Sequence, residues 1–404
     1  MTLEEKFTKL GVDHAPGQEI RQKGPDLLSQ GESIPGVPVD FSHGDVDAFP
    51  PIPNSLEQFI EGVRVGGRQA YTEYRGSAAI RQDLAAKLSR FTGTSIASAD
   101  NLILTPGTQG ALFLALASIV TRGDKIAIIA PDYFANRKIP EFLEAEILPV
   151  TLHYLEQEQG AGLDLSQLEE AFRQGAKAFL FSNPNNPTGV IYSDQEVDAI
   201  ARLANQYQVT VIADQLYSRQ IFDDRAYSHL CRTSIDPERL ITIIGPSKTE
   251  SLSGYRLGVA FGPSRLIQRM EKLQAIVSLR ASGYNQRVLR LWFDEPKGWM
   301  EQRIRDHQAI RDDLLEEFRR IDGVRVRATE AGSYLFPQLP NLTVSIEEFC
   351  RLLRVQAGVT VTPGTEFGKA YTNSIRLNFS QDHQAAIQAV RRIGQMVERF
   401  RKSE

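Results

Sequence analysis

Apolar residues recur along residues 101–262 with two different periods. Short apolar runs rich in Ile, Val and Leu are typical of strands buried on both faces of a sheet. Between most of these runs, apolar residues lie three or four positions apart, which is the pattern of an amphipathic helix. The predicted strands are 102–105, 125–130, 176–182, 210–214 and 240–245, and the predicted helices are 108–121, 134–143, 165–173 and 194–207. This alternation predicts an α/β fold in which helices cover both faces of a largely parallel sheet.

The two ends of the chain follow other patterns. Residues 1–50 are rich in Gly, Pro and Asp, and they predict an extended arm with a short strand at 37–42. Helical patterns occur at 55–90 around a break at 71–76, at 263–292, at 299–320, at 345–357 and up to about 401, with strand patterns at 324–328, 334–336, 359–362 and 374–379. We therefore predict a large domain over residues 50–293 and a smaller α+β domain over residues 294–404, to which part of the arm at 1–49 contributes.

Composition and charge exclude several classes of function. The 404-residue chain carries 46 basic and 50 acidic residues, a formal net charge of −4, and the two signs are well mixed. We therefore expect neither a nucleic-acid surface nor a membrane anchor. The longest nearly apolar run, residues 111–120, is too short to cross a bilayer, and the charged N-terminus lacks the apolar core of a signal peptide.

Cysteine and histidine are too scattered to indicate a cross-linked or metal-binding scaffold. The two cysteines, Cys231 and Cys350, lie far apart, and none of the six histidines stands at a ligand spacing. We therefore expect no metal site. The low cysteine content also predicts a reducing compartment, the cytoplasm.

The most informative stretch is GPSKTESLSGYRLG, residues 245–258, which follows the apolar run at 240–245. The chain turns there and presents Ser247 and Lys248 at the carboxyl end of the predicted strand, where open α/β sheets place ligands. A neutral lysine amine is a nucleophile. Eight residues later, Arg256 offers a fixed positive charge that suits a phosphate group. The stretch thus indicates a nucleophile beside a phosphate site.

Two other segments place polar groups after predicted strands. TPGTQG, residues 105–110, joins a strand to a helix, so Gly107 and Thr108 lie where free N–H groups and the helix dipole hold a phosphate. Asp214 ends the apolar strand predicted at 210–214, and a carboxylate at such a position needs a cationic partner.

Two further motifs complete the candidate site. NPNNPTG, residues 183–189, follows a predicted strand, and its prolines and asparagines indicate a rigid, irregular loop. Arg376 lies in the strand pattern at 374–379, and a guanidinium can bind a carboxylate through two parallel hydrogen bonds.

Together and in this order, these motifs resemble those of the class I/II pyridoxal-phosphate enzymes, the aspartate aminotransferase-like family of fold type I. The resemblance extends from about Phe41 to the C-terminus. It implies a fold type I PLP-transferase, with a mostly parallel sheet covered by helices in the large domain and a smaller α+β domain. It also implies pyridoxal 5'-phosphate as the cofactor, held by Lys248 as a Schiff base, and a homodimer with shared active sites.

The resemblance implies a role for each matching residue. Lys248 would bind the cofactor and move the substrate's α-proton, Asp214 would pair with the protonated ring nitrogen, and Arg376 would hold the α-carboxylate. The remaining implied cofactor contacts are Gly107, Thr108, Gln109, Tyr133 stacked on the ring, Asn186 and Tyr217 at the ring, Ser247, Arg256, and Tyr71 reaching the phosphate of the neighbouring subunit. Asn186 and Gly44 are implied as further substrate contacts, and Tyr217 as a further catalytic residue.

The predicted function is an aminotransferase that moves an amino group from an L-amino acid to a 2-oxo acid. The nearest alternative is an enzyme of the same fold that catalyses elimination, decarboxylation or oxidation of an amino acid. A regulatory module that kept the fold would carry an N-terminal DNA-binding helix pair, which residues 1–50 do not show. A nicotinamide-dependent oxidoreductase would need a Gly-x-Gly-x-x-Gly turn that opens a helix, and none is present.

The sequence constrains the substrate less than the reaction. Some dicarboxylate-specific relatives place a lysine where this chain has Gln109, so we expect a neutral or modified amino-acid donor, with 2-oxoglutarate or pyruvate as acceptor. Candidates for a second carboxylate contact are Arg68, Arg75, Arg219 and Arg280. Asp45 and Asp47 are either turn carboxylates or partners for a cationic substrate group.

Overall fold

The computed structural model describes residues 2–10, 32–97 and 100–402. Its helices are α1 Leu3–Leu10, α2 Ser55–Val65, α3 Gly67–Ala70, α4 Ala78–Thr92, α5 Gly107–Ile119, α6 Phe134–Phe142, α7 Leu165–Arg173, α8 Asp194–Tyr207, α9 Ser264–Val277, α10 Gly283–Gln286, α11 Trp299–Arg319, α12 Ile346–Ala357 and α13 His383–Phe400. Its strands are β1 Val39–Asp40, β2 Leu102–Pro106, β3 Lys125–Ala130, β4 Glu146–Thr151, β5 Ala176–Ser182, β6 Thr210–Asp214, β7 Leu240–Ile244, β8 Leu257–Phe261, β9 Tyr334–Leu335, β10 Val359–Thr360, β11 Thr362–Pro363 and β12 Ile375–Asn378. The N-terminal arm predicted over residues 1–49 forms α1 and β1, and its part at 11–31 lies outside the described residues.

A seven-stranded sheet with the order β2-β8-β7-β6-β5-β3-β4 forms the centre of the fold. The strands from β3 to β7 pair in parallel, whereas β8 runs antiparallel to both of its neighbours. The predicted α/β fold with a largely parallel sheet is confirmed. Because these strands share a direction, their carboxyl ends lie at one edge of the sheet.

The sequence pattern misses two strands of this sheet. Strand β4 contains Pro149, which argues against a central strand, and it is tolerated because β4 lies at the edge and pairs only with β3. Strand β8 begins one residue after Arg256 and carries Gly258, whose lack of a side chain weakens the strand signal. Both strands were therefore hidden by residues that ordinarily interrupt a sheet.

Helices bury both faces of the sheet, as strand β5 illustrates. Phe179 and Phe181 point to one side, where they join the core that contains α7 and α8. Ala178 and Leu180 point to the other side, into the core that contains α5 and α9. Successive strand residues face opposite sides, so burial on both sides explains why the strand reads as one continuous apolar run.

The C-terminal elements build a separate apolar core around Phe349, Leu377 and Phe379. Residues from the start of the chain complete it, since β1 pairs in parallel with β10 and Phe41 is fully buried there. This arrangement supports the predicted small domain with an N-terminal contribution, while the boundaries at 49/50 and 293/294 stay a prediction.

Three elements predicted at the C-terminal side differ in the structure: one strand does not form, and two segments are interrupted. Residues 324–328 form no strand, because only Arg325 bridges to Gln338 and Arg327 donates instead to carbonyl groups of surrounding loops. The helical segment predicted at 263–292 is interrupted after Val277, near Leu279 with its left-handed φ of 60°, and resumes as α10 and a 3₁₀ turn up to Leu291. The strand predicted at 359–362 divides into β10 and β11.

Within the described ranges, no helix is both long and apolar enough to cross a membrane. No group of three or more potential metal-ligating side chains occurs among the same residues. Cys231 and Cys350 are both free thiols.

Candidate active site

Residues that follow the carboxyl ends of β2, β3, β5, β6 and β7 line one cavity of about 340 Å³. Ten of the predicted site residues lie on its wall: Thr108, Gln109, Tyr133, Asn186, Asp214, Tyr217, Ser247, Lys248, Arg256 and Arg376. Gly107, Gly44 and Tyr71 do not line it. The fold thus brings together side chains that are separated by up to 268 positions in the sequence, from 108 to 376.

Two closely packed glycines bring the start of α5 against Arg256. Gly107 opens α5 with φ +74°, and a Cβ there would lie 2.6 Å from Nη2 of Arg256. A Cβ on Gly258 would lie 2.3 Å from the carbonyl carbon of Gly107. These contacts admit no side chain, so the first turn of α5 sits directly against Arg256. The Gly107 N–H donates to the Arg256 carbonyl at 3.0 Å, so this predicted phosphate donor is already satisfied. The N–H of Thr108, next in the turn, and the Arg256 guanidinium form a site for an anion.

Lys248 stands between this cavity and a second one of about 730 Å³. Gly44, which was predicted to contact substrate, lines the second cavity together with Lys248 and Ser247. The Ser247 hydroxyl donates to the carbonyl of Leu257 at 3.2 Å, which fixes the backbone just before the lysine. The Lys248 amine is therefore accessible from two sides.

Asp214 points into the cavity from the end of β6. Its Oδ1 accepts the N–H of Leu216 at 3.1 Å, and burial raises the pKa of the carboxyl to about 6. No hydrogen-bonded or ion-paired cation accompanies Asp214 in the described part of the chain. A carboxylate in this setting is stabilised by a cation supplied from outside the protein.

Tyr217 lies beside Asp214 and forms a hydrogen bond of 2.6 Å with the hydroxyl of Tyr334. Burial raises the pKa of Tyr217. Burial acts in the same direction on Tyr334, but the charges of Arg376 and Lys248 and the bond to Tyr217 outweigh it and lower the pKa of Tyr334. Tyr334 carries no signal in the sequence, because β9 is only two residues long and its tyrosine stands in no recognisable motif.

Arg376 is buried on β12, with a relative exposure of 4%. Its Nη1 donates to Oδ1 of Asn186 at 3.1 Å, and its Nη2 donates to the carbonyl of Ser42 at 2.9 Å. Its guanidinium lies 4.5 Å from the ring centre of Tyr334 and 4.8 Å from that of Phe367. Its Nε has no acceptor among the described residues. A buried donor without a partner is costly.

Tyr71 lies away from the cavity of this single chain. It follows α3, is 81% exposed, and has the guanidinium of Arg280 at 5.6 Å from its ring centre. The predicted contact of Tyr71 with a neighbouring subunit's phosphate stays a prediction.

The arginines considered for a second carboxylate contact do not line the cavity either. Arg75 pairs with Glu271, and Arg280 donates to the Thr72 carbonyl. Arg219 pairs with Glu250 and Glu295, and Arg68 is exposed.

Of the two turn carboxylates near β1, Asp45 binds the backbone. Asp45 Oδ1 accepts the N–H groups of Asp47 and Ala48 at 2.8 and 3.3 Å. This favours the interpretation of Asp45 as a turn residue.

Comparison with known proteins agrees with this geometry. The family model described as "Aminotransferase class I and II" matches residues 38–393. The chain belongs to this family. A crystal structure of an aspartate aminotransferase from Rhodobacter sphaeroides superposes with a TM-score of 0.94, at 58% identity over 99% of this chain and 100% of that one.

More distant relatives carry related names. The aspartate aminotransferase of Sulfolobus acidocaldarius is 27% identical over 378 residues, 90% of this chain and 91% of its own length. N-succinyldiaminopimelate aminotransferase from Mycobacterium tuberculosis superposes with a TM-score of 0.81, at 25% identity over 89% of this chain and 93% of that chain. The protein is thus an aminotransferase of fold type I, and the predictions of family, fold and reaction are confirmed. Enzymes of this family are generally dependent on pyridoxal phosphate.

The residues present fit that cofactor. The anion site at the start of α5 and Arg256 suits a phosphate group. The buried carboxyl of Asp214 suits a protonated ring nitrogen. The Arg376 guanidinium on the cavity wall suits a substrate carboxylate.

We predict that Asp214→Asn reduces the pH dependence of the free energy of unfolding of the cofactor-free protein. The pKa of Asp214 is raised to about 6 in the folded chain, above about 3.9 in an unfolded one, so the folded state binds this proton more tightly. The contribution is fully present below about pH 4 and is lost as pH rises to about 6. Urea titrations at about pH 4.5 and about pH 7 measure how far the free energy of unfolding falls between these two pH values. This fall should be smaller in the variant than in the wild type.

Asp164→Asn is the matched control for this measurement. Asp164 caps α7, and the hydrogen bonds from Ser166 and Gln167 lower the pKa of its carboxyl. Its contribution therefore changes below about pH 4 and should leave the fall between pH 4.5 and 7 unaltered. An Asp214→Asn protein with the wild-type fall would contradict the assigned environment of Asp214.

Proposed function

We propose that this aminotransferase binds pyridoxal 5'-phosphate in the cavity, attached covalently to Lys248, and moves an amino group from an L-amino acid to a 2-oxo acid. The observation that supports this most directly is that Lys248 and Asp214 line the same cavity although they follow different strands. When bound, the cofactor supplies an electron-withdrawing ring that stabilises negative charge on the substrate's α-carbon. The predicted cytoplasmic location remains part of the proposal.

The phosphate would be held at the start of α5. The Gly107 N–H and the Ser247 hydroxyl already donate to the carbonyls of Arg256 and Leu257. The Thr108 N–H and the Arg256 guanidinium are the donors that remain for the phosphate at that end of the cavity. Gln109 is the weaker contact of this group, because its Oε1 already accepts the Tyr133 hydroxyl at 3.0 Å. That bond orients the Tyr133 side chain at the cavity wall.

The cofactor ring would be held by Asp214, Asn186, Tyr217 and Tyr133. Asp214 would keep the ring nitrogen protonated, which its desolvated carboxylate favours. Asn186 uses its amide oxygen to accept from Arg376, so its NH₂ group remains for the phenolic oxygen of the cofactor. Tyr217 would donate to the same oxygen, and Tyr133 would stack on the ring.

The substrate would be oriented by Arg376 and reacted by Lys248. Arg376 would bind the α-carboxylate through its guanidinium, which fixes the α-carbon relative to the lysine. The substrate's amino group would take the place of Lys248 on the cofactor, and the freed Nζ of Lys248 would then remove the α-proton as the general base. Gly44 lies on the far side of Lys248, in the second cavity, where the substrate's entry or side chain would lie.

We predict that Lys248→Ala abolishes turnover and the covalent attachment of the cofactor, because no other amine lines the cavity within the described residues. The measurement is reduction of the loaded protein with borohydride, followed by mass spectrometry of the peptide around residue 248. Lys272→Ala, at an exposed position on α9, should react and turn over as the wild type does. Normal turnover of Lys248→Ala would refute the proposal.

Two donor classes have support. The cations of the cavity wall are Lys248, Arg256 and Arg376, and each already has a proposed role. Among the described residues of one chain, the cavity wall therefore offers no further cation to bind a second carboxylate. This favours a neutral donor with 2-oxoglutarate or pyruvate as acceptor. The names of the relatives favour aspartate instead. An aspartate donor would need a cation from outside these walls, such as a second subunit.

We predict that Arg376→Lys raises KM for every amino donor by about tenfold or more, because lysine cannot form the two parallel bonds to the α-carboxylate. A panel of neutral and acidic amino acids, followed by oxo-acid formation with 2-oxoglutarate and pyruvate, separates the two donor classes. Exclusive reaction with aspartate and glutamate would overturn the neutral donor. An unchanged KM in Arg376→Lys would overturn the role of Arg376.

We also propose that the protein is a homodimer whose active sites are shared. Large apolar side chains are exposed on α2, after α3 and around the end of α9: Leu56, Ile60, Val63, Tyr71, Tyr74, Ile276, Val277 and Leu279. Arg280 links these segments, with its guanidinium 5.6 and 5.4 Å from the rings of Tyr71 and Tyr74. An exposed apolar group of this kind marks a protein contact, and a second copy would place Tyr71 beside a neighbouring site.

We predict that mixing two defective variants restores activity. In a dimer of Lys248→Ala and Tyr71→Ala chains, Tyr71 from the first chain can complete the site that holds Lys248 of the second. Each variant is refolded by itself, and the two are also refolded together. Turnover of the three samples is compared at equal protein concentration after sedimentation confirms the dimer. Failure of the mixture to exceed the sum of the two separate variants would show that Tyr71 serves its own subunit or none.

A further inference from the structure

Asp132 is a buried carboxylate directly before Tyr133 that the proposed mechanism does not use. Its relative exposure is 3%, and it lies behind the cavity wall. Its Oδ1 accepts the N–H of Tyr133 at 2.7 Å and the Ser182 hydroxyl, and its Oδ2 accepts the N–H of Ser182 at 3.1 Å. All of these partners are neutral donors. Burial raises the pKa of Asp132 to about 7, opposed by these hydrogen bonds, and the nearby charge of Asp214 adds to the rise.

The Ser182 hydroxyl also forms hydrogen bonds with the loop at residues 183–189. Its Oγ accepts the N–H of Asn186 at 3.2 Å and Nδ2 of Asn185 at 3.3 Å. Nδ2 of Asn185 also donates to the Pro131 carbonyl at 3.2 Å, so the loops after β3 and β5 are joined twice. Asn186 in turn accepts from Arg376. A continuous set of buried hydrogen bonds therefore runs from the backbone of Tyr133 to the guanidinium.

A carboxylate is the side chain that this position requires. Tyr133 N–H, Ser182 N–H and Ser182 O–H all donate, so the group between them must accept on both oxygens. An ionised carboxylate only accepts, whereas an asparagine would turn an NH₂ group towards one of these donors. Burying a charge without a cation is unfavourable. A turn with a purely structural role could be built without a buried carboxylate, so we expect a functional reason for Asp132.

We propose that Asp132 is a positioning residue that sets the Tyr133 wall and the Asn186–Arg376 wall of the cavity relative to each other through Ser182. The proposal rests on the proposed function, since it gives these two walls to the cofactor ring and to the substrate carboxylate. Asp132 itself touches neither.

The test compares Asp132→Asn, Ser182→Ala and the double variant with the wild type. We expect each single variant to weaken pyridoxal-phosphate binding about tenfold and to raise KM for the amino donor by a similar factor, because each leaves a buried donor or acceptor unmatched. The double variant should lose little more than either single one, because the two residues act through one set of hydrogen bonds. Cofactor binding is read from the absorbance of the bound cofactor in titrations of the cofactor-free protein, which needs no turnover.

Glu196→Gln is the matched structural control. The Glu196 carboxylate also accepts several donors, the N–H groups of Ala161, Leu163 and Ser193, but it caps α8 and does not line the cavity. It should lower the denaturation midpoint without changing cofactor affinity or KM. Ser182→Ala keeps the test decisive if Asp132→Asn fails to fold.

Two results would overturn the proposal. One is wild-type cofactor affinity and KM in a folded Asp132→Asn or Ser182→Ala protein. The other is a double variant whose losses equal the product of the single ones. Either result leaves the proposed function intact as long as Lys248→Ala loses cofactor attachment. A wild-type protein that binds no pyridoxal phosphate would instead sink the proposed function itself.

Discussion

Burial of both faces of the parallel sheet is the constraint on which the rest of this structure depends. Side chains within β5, β6 and β7 point into apolar cores on either side, so no polar chemistry can be placed along the strands. The polar groups must therefore stand where each strand ends. Because the strands are parallel, those ends meet at one edge, and Asp214 and Lys248 reach the same cavity from neighbouring strands. The site follows from the way in which the core is covered.

The C-terminal unit adds what the sheet cannot supply. Arg376 comes from β12, outside the central sheet, and it is fixed by contacts to Asn186 of the large unit and to the Ser42 carbonyl after β1. The long helix α11 reinforces this junction, since Arg303 donates to the carbonyls of Pro50 and Thr249. The lysine loop and the arginine are thus held by side chains that cross between the two cores.

Much of this could be predicted from the sequence, for a physical reason. Strands β3, β5, β6 and β7 are continuous apolar runs because they are buried on both faces, and this signal needs no knowledge of neighbours. The edge strand β4 and the glycine-bearing β8 depend on tertiary pairing, which the local pattern does not contain. Residues 324–328 show the reverse case: their sequence alternates as a strand does, but no neighbouring strand pairs with them.

The site divides in the same way. Lys248, Asp214, Asn186 and Arg376 stand in motifs that the sequence displays. Tyr334 and Asp132 act through partners more than forty positions away, and each is an ordinary residue in its local sequence. Tyr71 depends on a second copy of the chain, so neither the sequence pattern nor one subunit decides its role. Residues whose role depends on a partner far away in the sequence are those that local sequence patterns do not reveal.

The burial of the Arg376 guanidinium also bears on which compounds the enzyme would refuse. This charge lies on the cavity wall and pairs with no carboxylate among the described residues, so a ligand gains by supplying one. A simple amine would fill the same space but leave the charge unpaired. Rejection of biogenic amines would then arise from an unpaired buried charge rather than from steric exclusion, in the manner of sites that discriminate against analogues lacking a polar group.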